Sequence, residues 1–166
     1  VAEITLTSNE SGIVIDTGPL SFLVPDDGFA PVSQIRLSGQ PLGGDAPLHG
    51  FTLGYDGHEV KTDTSPVKLE IEETGPLRAV VLISGKHRGT DGSEYLDFRG
   101  RVTAYAGKPY IEVEYQFIHK EEMAKLSLES LALQFKPAAN GRPKLALGQG
   151  FYRTAIEESV DALEMA

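Results

Sequence analysis

The amino-acid sequence predicts an all-β fold, either an antiparallel β-barrel or a sandwich-like barrel, with at most one short helix near the C-terminus. Apolar and polar residues alternate in many short runs, which is the period of a strand with one buried face. Turn-forming dipeptides separate these runs. The 166 residues include 18 Gly and 10 Pro but no Trp, a composition that favours a turn-rich β domain over a helical bundle.

Two successive hairpins between Pro76 and His119 are the strongest structural signal in the chain. Residues 93–105 and 110–118 both alternate with a period of two, and Ala106-Gly107-Lys108-Pro109 between them suits a tight turn. The apolar positions are Leu96, Phe98, Gly100, Val102 and Ala104 in the first run and Ile111, Val113, Tyr115 and Phe117 in the second.

These two runs fit a single pairing register. If Tyr105 lies opposite Tyr110, then Arg101 lies opposite Glu114. Apolar residues then meet apolar residues, and Arg meets Glu, across the ladder.

A third strand precedes this pair and is joined to it through Asp91-Gly92, a strong hairpin signal. Val80 and Leu82 are apolar on the opposite face of this strand, so we predict that it is central and covered on both sides. Its first apolar face consists of Leu77, Ala79, Val81 and Ile83.

Shorter strands are predicted on both sides of this region. The long connection over residues 38–50 is expected to be either disordered or functional. A β-bulge near Glu129-Ser130 would explain why the apolar phase changes within a later strand. Residues 151–163 fit either a strand or a helix. The other predicted strands are residues 3–7, 13–15, 20–24, 32–37, 51–55, 58–62, 67–73 and 144–147, with Asp56-Gly57 as a hairpin turn.

Charge and composition argue against several classes of function. A formal net charge of −9 disfavours nucleic acid as a partner, because phosphate contacts need a clustered basic face. No apolar run approaches the roughly 18 residues of a membrane span. Cysteine is absent, so neither disulfides nor thiolate metal ligands can form. We therefore predict no nucleic-acid partner and no membrane partner.

No cofactor or metal site is predicted. The sequence has no phosphate-binding loop, metalloprotease helix, nucleophile elbow or calcium loop. The histidines are scattered singly, and each is expected at the surface or at a strand end rather than as a metal ligand. They are His49, His58, His87 and His119.

One local basic cluster is the first candidate for ligand binding. On an acidic domain such a cluster could receive a carboxylate, for instance that of a uronic acid, because Arg offers a bidentate fork. The alternative is a solvated strand face on which Arg99 and Arg101 pair with Glu112 and Glu114. The cluster consists of Lys86, His87, Arg88, Arg99 and Arg101.

Tyrosines are the second candidate. Tyr95 and Tyr105, with Tyr110, could form a platform for sugars, because a ring face complements the C–H face of a pyranose. The alternative is that they are cross-strand packing partners. No catalytic residue is assigned.

The segments Gly75-Pro76-Leu77-Arg78-Ala79-Val80-Val81, Phe98 to Gly107 and Pro109 to Phe117 resemble a known family. They are similar to the N-terminal RIFT-type β-barrel domain of the PcRGLX/YetA-like (rhamnogalacturonan exolyase-like) proteins. Similar runs also occur in β-sandwich domains of other large carbohydrate-active enzymes.

The resemblance implies that residues 1–166 are one domain of a longer, multidomain polysaccharide lyase. Its expected partners are a neighbouring catalytic domain of the same polypeptide and an acidic polysaccharide such as rhamnogalacturonan, a pectin. We expect no activity from this chain alone. The alternatives are a carbohydrate-binding module and a structural interaction domain without a ligand. A secreted or cell-surface location fits the resemblance, although the residues do not determine the compartment.

Overall fold

A computed structural model describes residues 3–42, 50–55, 57–62, 67–120, 127–133, 144–148 and 154–158. The described residues form only strands, turns and bends, and none lies in a helix able to cross a membrane. The strands are β1 (Thr5–Asn9), β2 (Gly12–Asp16), β3 (Leu20–Pro25), β4 (Ser33–Leu37), β5 (Gln40–Pro41), β6 (Phe51–Tyr55), β7 (His58–Lys61), β8 (Lys68–Thr74), β9 (Arg78–Gly89), β10 (Glu94–Tyr105), β11 (Ile111–Ile118), β12 (Leu128–Leu133), β13 (Lys144–Gly148) and β14 (Thr154–Glu158).

The strands form two larger sheets and one hairpin, and all pairings are antiparallel. The first sheet has the order β1-β2-β3-β4-β5, and the second has the order β11-β10-β9-β7-β6-β12. Strand β9 is central in the second sheet, because β10 pairs along one edge while β8 and β7 pair in succession along the other. Strands β13 and β14 pair only with each other within the described part of the chain.

The two larger sheets enclose one main core. Phe22 and Val24 from the first sheet pack with Val81 and Phe98 from the second, and all four side chains are buried. The second sheet also curls, since the ring of Phe51 on β6 stacks on that of Tyr115 on β11, with centroids 3.7 Å apart and planes 6° apart. The fold is therefore a β-sandwich in which one sheet forms a half-barrel.

Phe29, on the connection between β3 and β4, fills the space between the sheets. Its ring is fully buried and lies 5.5 Å from that of Phe98 and 5.7 Å from that of Phe51. Gly100 on β10 faces this ring, and a Cβ atom at that position would lie 2.2 Å from the Phe29 Cζ atom. The strand therefore needs a residue without a side chain at this point.

Thr17 ties one end of the first sheet to the β10–β11 turn. Its hydroxyl donates to the Lys108 carbonyl oxygen at 2.8 Å, and its own carbonyl accepts the Gly107 N–H at 2.7 Å. Thr17 is completely buried, so these hydrogen bonds form away from water and fix the two sheets relative to each other.

Most sequence predictions of strands are confirmed. Arg101 lies opposite Glu114 and Thr103 opposite Glu112, as the predicted register requires. The register of β12 against β6 shifts between Leu128 and Ser130, so the predicted bulge is also confirmed.

Some predictions need correction, and others fall on residues that the structure does not describe. Leu77 is 65% exposed and precedes β9, so it does not belong to the apolar face assigned to that strand. The ambiguous tail contains a strand, β14, rather than a helix. The turn residue Asp56 and most of the long 38–50 connection, residues 43–49, lie outside the described residues. A short strand that the sequence analysis missed, β5, begins that connection.

Candidate functional site

The outer face of the half-barrel carries four of the five residues of the predicted basic cluster. Alternation along β9 and β10 sends the core residues inward and leaves Lys86, Arg88, Arg99 and Arg101 on the opposite face. Pairing of the two strands places Arg99 opposite Ser84 and Arg101 opposite Leu82. The structure therefore brings these four cations onto one sheet surface.

Arg101 is already occupied by a carboxylate of the protein. Its Nε donates to Glu72 Oε2 at 2.7 Å, and its Nη2 donates to Glu72 Oε1 at 3.0 Å. This fork lowers the pKa of Glu72 and raises that of Arg101. Arg101 lies opposite Glu114 in the strand register, as predicted. Its bidentate ion pair, however, is formed with Glu72 on β8, on the other side of β9.

Lys86 and Arg88 share a second carboxylate. Lys86 Nζ lies 3.1 Å from Glu94 Oε2, and Arg88 Nη2 lies 3.5 Å from Glu94 Oε1. The hydrogen bond from Lys86 is the main cause that lowers the pKa of Glu94. These three residues lie toward the end of the sheet where β9 and β10 meet in their connecting turn.

Arg99 differs from the other three cations. It is exposed, and its charge contributes to the lowered pKa of Glu72. Within the described part of the chain, its guanidinium makes no hydrogen bond or ion pair such as those that hold Arg101. Arg99 is therefore the predicted cation whose donors are available to an external carboxylate.

His87 does not join this cluster, because it lies on the opposite side of β9 and is completely buried. Its Nδ1 contacts the Leu96 carbonyl oxygen, and its Nε2 contacts the Tyr115 hydroxyl. The prediction of a surface or strand-end position for His87 is thus wrong. The alternation of Ala79, Val81 and Ile83 continues through Gly85 to position 87, and this period would have placed the ring inside.

The environment of His87 determines its protonation state. A carbonyl oxygen can only accept, so Nδ1 carries the hydrogen and Nε2 accepts a hydrogen bond from the Tyr115 hydroxyl. Burial lowers the pKa of His87 and raises that of Tyr115. The Phe98 ring lies edge-on to the imidazole at 5.3 Å. The two side chains form a structural hydrogen bond between a neutral imidazole and a neutral phenol.

The tyrosines do not form the predicted common platform. The Tyr105 hydroxyl donates to Glu112 Oε2 at 2.9 Å, a hydrogen bond that raises the pKa of Tyr105. Its ring and that of Tyr110 are 6.0 Å apart and inclined by 48°. Tyr95 lies near the other end of β10 and packs against the apolar cluster that contains Leu53. Tyr105 and Tyr110 therefore form a tilted pair, and Tyr95 is separate from it.

The described residues contain no group of three or more His, Asp or Glu side chains that could hold a metal ion. The outer face offers ionic and hydrogen-bonding contacts, centred on Arg99.

Comparison with known proteins yields one family. Over residues 4–143 the chain matches the family model described as PcRGLX-like protein central beta sandwich domain. The match confirms the family that the sequence resembled, and the matching domain is the central β-sandwich, whereas the resemblance was drawn to an N-terminal RIFT-type barrel. No curated protein matches the chain.

Proposed function

The chain belongs to the PcRGLX-like family, whose central β-sandwich domain it matches, and we propose that it is a non-catalytic domain of a carbohydrate-active enzyme that degrades an acidic polysaccharide of the rhamnogalacturonan type. Its role is to support a neighbouring catalytic domain of the same polypeptide. The family match and the distribution of polar groups in the domain support this proposal.

One observation carries the non-catalytic role: apart from Arg99, the described members of the basic cluster are engaged within the domain. Removal of the proton beside a uronate carboxylate needs an accessible base and a cation to stabilise the charge that develops. His87 is buried and hydrogen-bonded on both nitrogens. Arg101 is held by Glu72 through two hydrogen bonds. These contacts fit a scaffold better than a reaction centre.

Arg99 favours a second candidate function, the binding of acidic carbohydrate. Its guanidinium is exposed beside the Arg101–Glu72 pair, and an Arg fork matches the geometry of a uronate carboxylate. In this alternative the domain retains the polysaccharide near the catalytic domain without reacting with it.

A single assay separates these functions. The purified chain is incubated with rhamnogalacturonan, and both unsaturated uronate product and retention of the protein on immobilised polysaccharide are measured. Neither product nor retention is expected of a supporting domain. Retention without product would favour the binding function, whereas product that persists after repeated purification would overturn the non-catalytic role.

A further inference from the structure

A groove lies between the β1–β2 turn and the N-terminal half of β8. Its volume is about 600 Å³. The residues that line it come from both sheets, with Asn9 and Ile13 from the first sheet and Leu69 and Ile71 from the second. The groove is open rather than enclosed, which leaves room for an extended occupant.

The groove lies beside two sheet edges, one formed by β1 and the other by β8. Within the described part of the chain, β1 pairs only with β2 and β8 pairs only with β9. Among the described residues, each of these strands therefore has an edge whose main-chain N–H and C=O groups form no ladder with another strand. Such edges are templates for pairing with an added strand.

The floor of the groove is aliphatic. Ile13 is buried, Val67 and Leu69 pack against the main core, and Ile71 remains 38% exposed. The residues that line the groove include no aromatic side chain. A sugar ring would find no stacking surface here, whereas alternate aliphatic side chains of an extended peptide would fit.

The charge around the groove is acidic. Asp26 lies on its rim and Glu10 in the adjacent turn, and both are exposed. Lys68 also lines the groove, but its ammonium lies 3.9 Å from the Glu70 carboxylate. A second copy of this chain would bring the same carboxylates against each other, and its net charge is −9. Charge complementarity therefore favours a cationic occupant.

We propose that this groove binds an extended polypeptide segment of another protein or domain, in which aliphatic side chains alternate with Lys or Arg. The segment adds a strand to the free edge of β8 or β1, inserts its aliphatic side chains beside Ile71, and places its cations near Asp26. This inference does not rest on the proposed function, because it uses only the sheet edges, the aliphatic floor and the rim charges.

The test uses a short synthetic peptide in which valine and lysine alternate, with a valine–glutamate peptide of the same length as the control. Each is titrated into the ¹⁵N-labelled chain while amide chemical shifts are recorded. The valine–lysine peptide should shift amides of residues 8–13 and 67–71, and the valine–glutamate peptide should bind at least about tenfold more weakly. An absence of binding, or shifts centred on other surfaces, would overturn the proposal.

Two variants with matched charge sharpen the test. Ile71→Lys places a cation in the groove, whereas Leu77→Lys makes the same change of charge at an exposed residue outside it. We expect Ile71→Lys to weaken binding by about tenfold or more, through lost apolar contact and repulsion, and Leu77→Lys to change it by less than about threefold. Equal effects of the two substitutions would refute the assignment of the groove. Asp26→Asn keeps the aliphatic floor intact. It should weaken the binding of the valine–lysine peptide and leave the binding of the valine–glutamate peptide no weaker.

Discussion

The Nε2 atom of His87 accepts a hydrogen bond from the Tyr115 hydroxyl across the half-barrel, between strands that are separated by β10. Leu96 satisfies the other ring nitrogen through its carbonyl oxygen. All three groups lie among apolar side chains. This polar contact therefore fixes the position of β11 relative to β9 and should make stability depend on pH and on the Tyr115 hydroxyl.

The first prediction concerns pH. Burial lowers the pKa of His87 in the folded chain, whereas a His side chain in the unfolded chain has a pKa of about 6.5. Above that pH both states are neutral at this residue. As the pH falls below about 6.5 the unfolded state gains a proton that the folded state does not, so the unfolding free energy should decrease by up to about 1.4 kcal/mol per pH unit. Urea denaturation between about pH 7.5 and 5.5 measures this slope.

The control for this slope is His87→Gln, which cannot take up the proton. Its stability should vary less with pH over the same interval, above the range in which most carboxylates titrate. Parallel pH profiles for the two proteins would show that His87 is not the group responsible.

The second prediction concerns the phenol. Tyr115→Phe keeps the ring that stacks on Phe51 but leaves the buried His87 Nε2 without its donor. An unsatisfied buried acceptor costs about 1–3 kcal/mol, and denaturant unfolding should show a loss of this size. Tyr110→Phe is the matched control, because Tyr110 is 49% exposed and its loss of a hydroxyl should be nearly neutral. Equal stability of the Tyr115→Phe variant and the parent would contradict a structural role for this hydrogen bond.

The third prediction concerns Gly100. The added methyl group of Gly100→Ala would lie 2.2 Å from Phe29 Cζ and 2.5 Å from Phe29 Cε1. Because Phe29 is also packed against Phe98 and Phe51, its ring has little room to move. Overpacking of this kind costs about 1–3 kcal/mol, which thermal unfolding would detect. In Gly75→Ala the nearest contact is 3.5 Å, so that variant should keep its stability. Similar melting temperatures for both variants would contradict the close packing of Phe29.

Local alternation was sufficient to predict the β9–β10 and β10–β11 hairpins, because the strands that pair there are also consecutive in sequence. The register of Arg101 with Glu114 follows from one turn, and the bulge beside Glu129 follows from a change of apolar phase. Phe29 gave no such signal, since it lies in a connection and its partners come from distant strands.

The candidate site was only partly predictable for the same reason. Alternation places Arg99 and Arg101 on one face, but it does not show that Glu72 lies within reach of Arg101. That contact depends on β8 and β10 both pairing with β9. His87 follows the inward period of β9, but a titratable imidazole is ordinarily exposed, and only the hydrogen bonds to Leu96 and Tyr115 make its burial favourable.

The fourth prediction concerns Arg99. If the outer face binds acidic polysaccharide, Arg99→Ala should reduce retention on rhamnogalacturonan at low ionic strength, and added salt should reduce the retention of the parent chain in the same way. Arg36→Ala is the matched control, since Arg36 is an exposed cation on β4 of the other sheet. Equal losses for the two variants would indicate nonspecific attraction rather than a site.

The fifth prediction concerns the competition between Glu72 and an external carboxylate. Glu72 accepts hydrogen bonds from Arg101 Nε at 2.7 Å and from Arg101 Nη2 at 3.0 Å. Glu72→Gln removes the anion while keeping the shape, so Arg101 should become available beside Arg99, and if the outer face binds acidic polysaccharide, retention on it should increase. Glu73→Gln makes the same change of charge but releases Arg78 instead, and it should have a smaller effect. Because both variants raise the net charge equally, a larger gain for Glu72→Gln would place the effect at the Arg99–Arg101 surface rather than in the net charge, and equal gains would rule out a paired Arg99–Arg101 site.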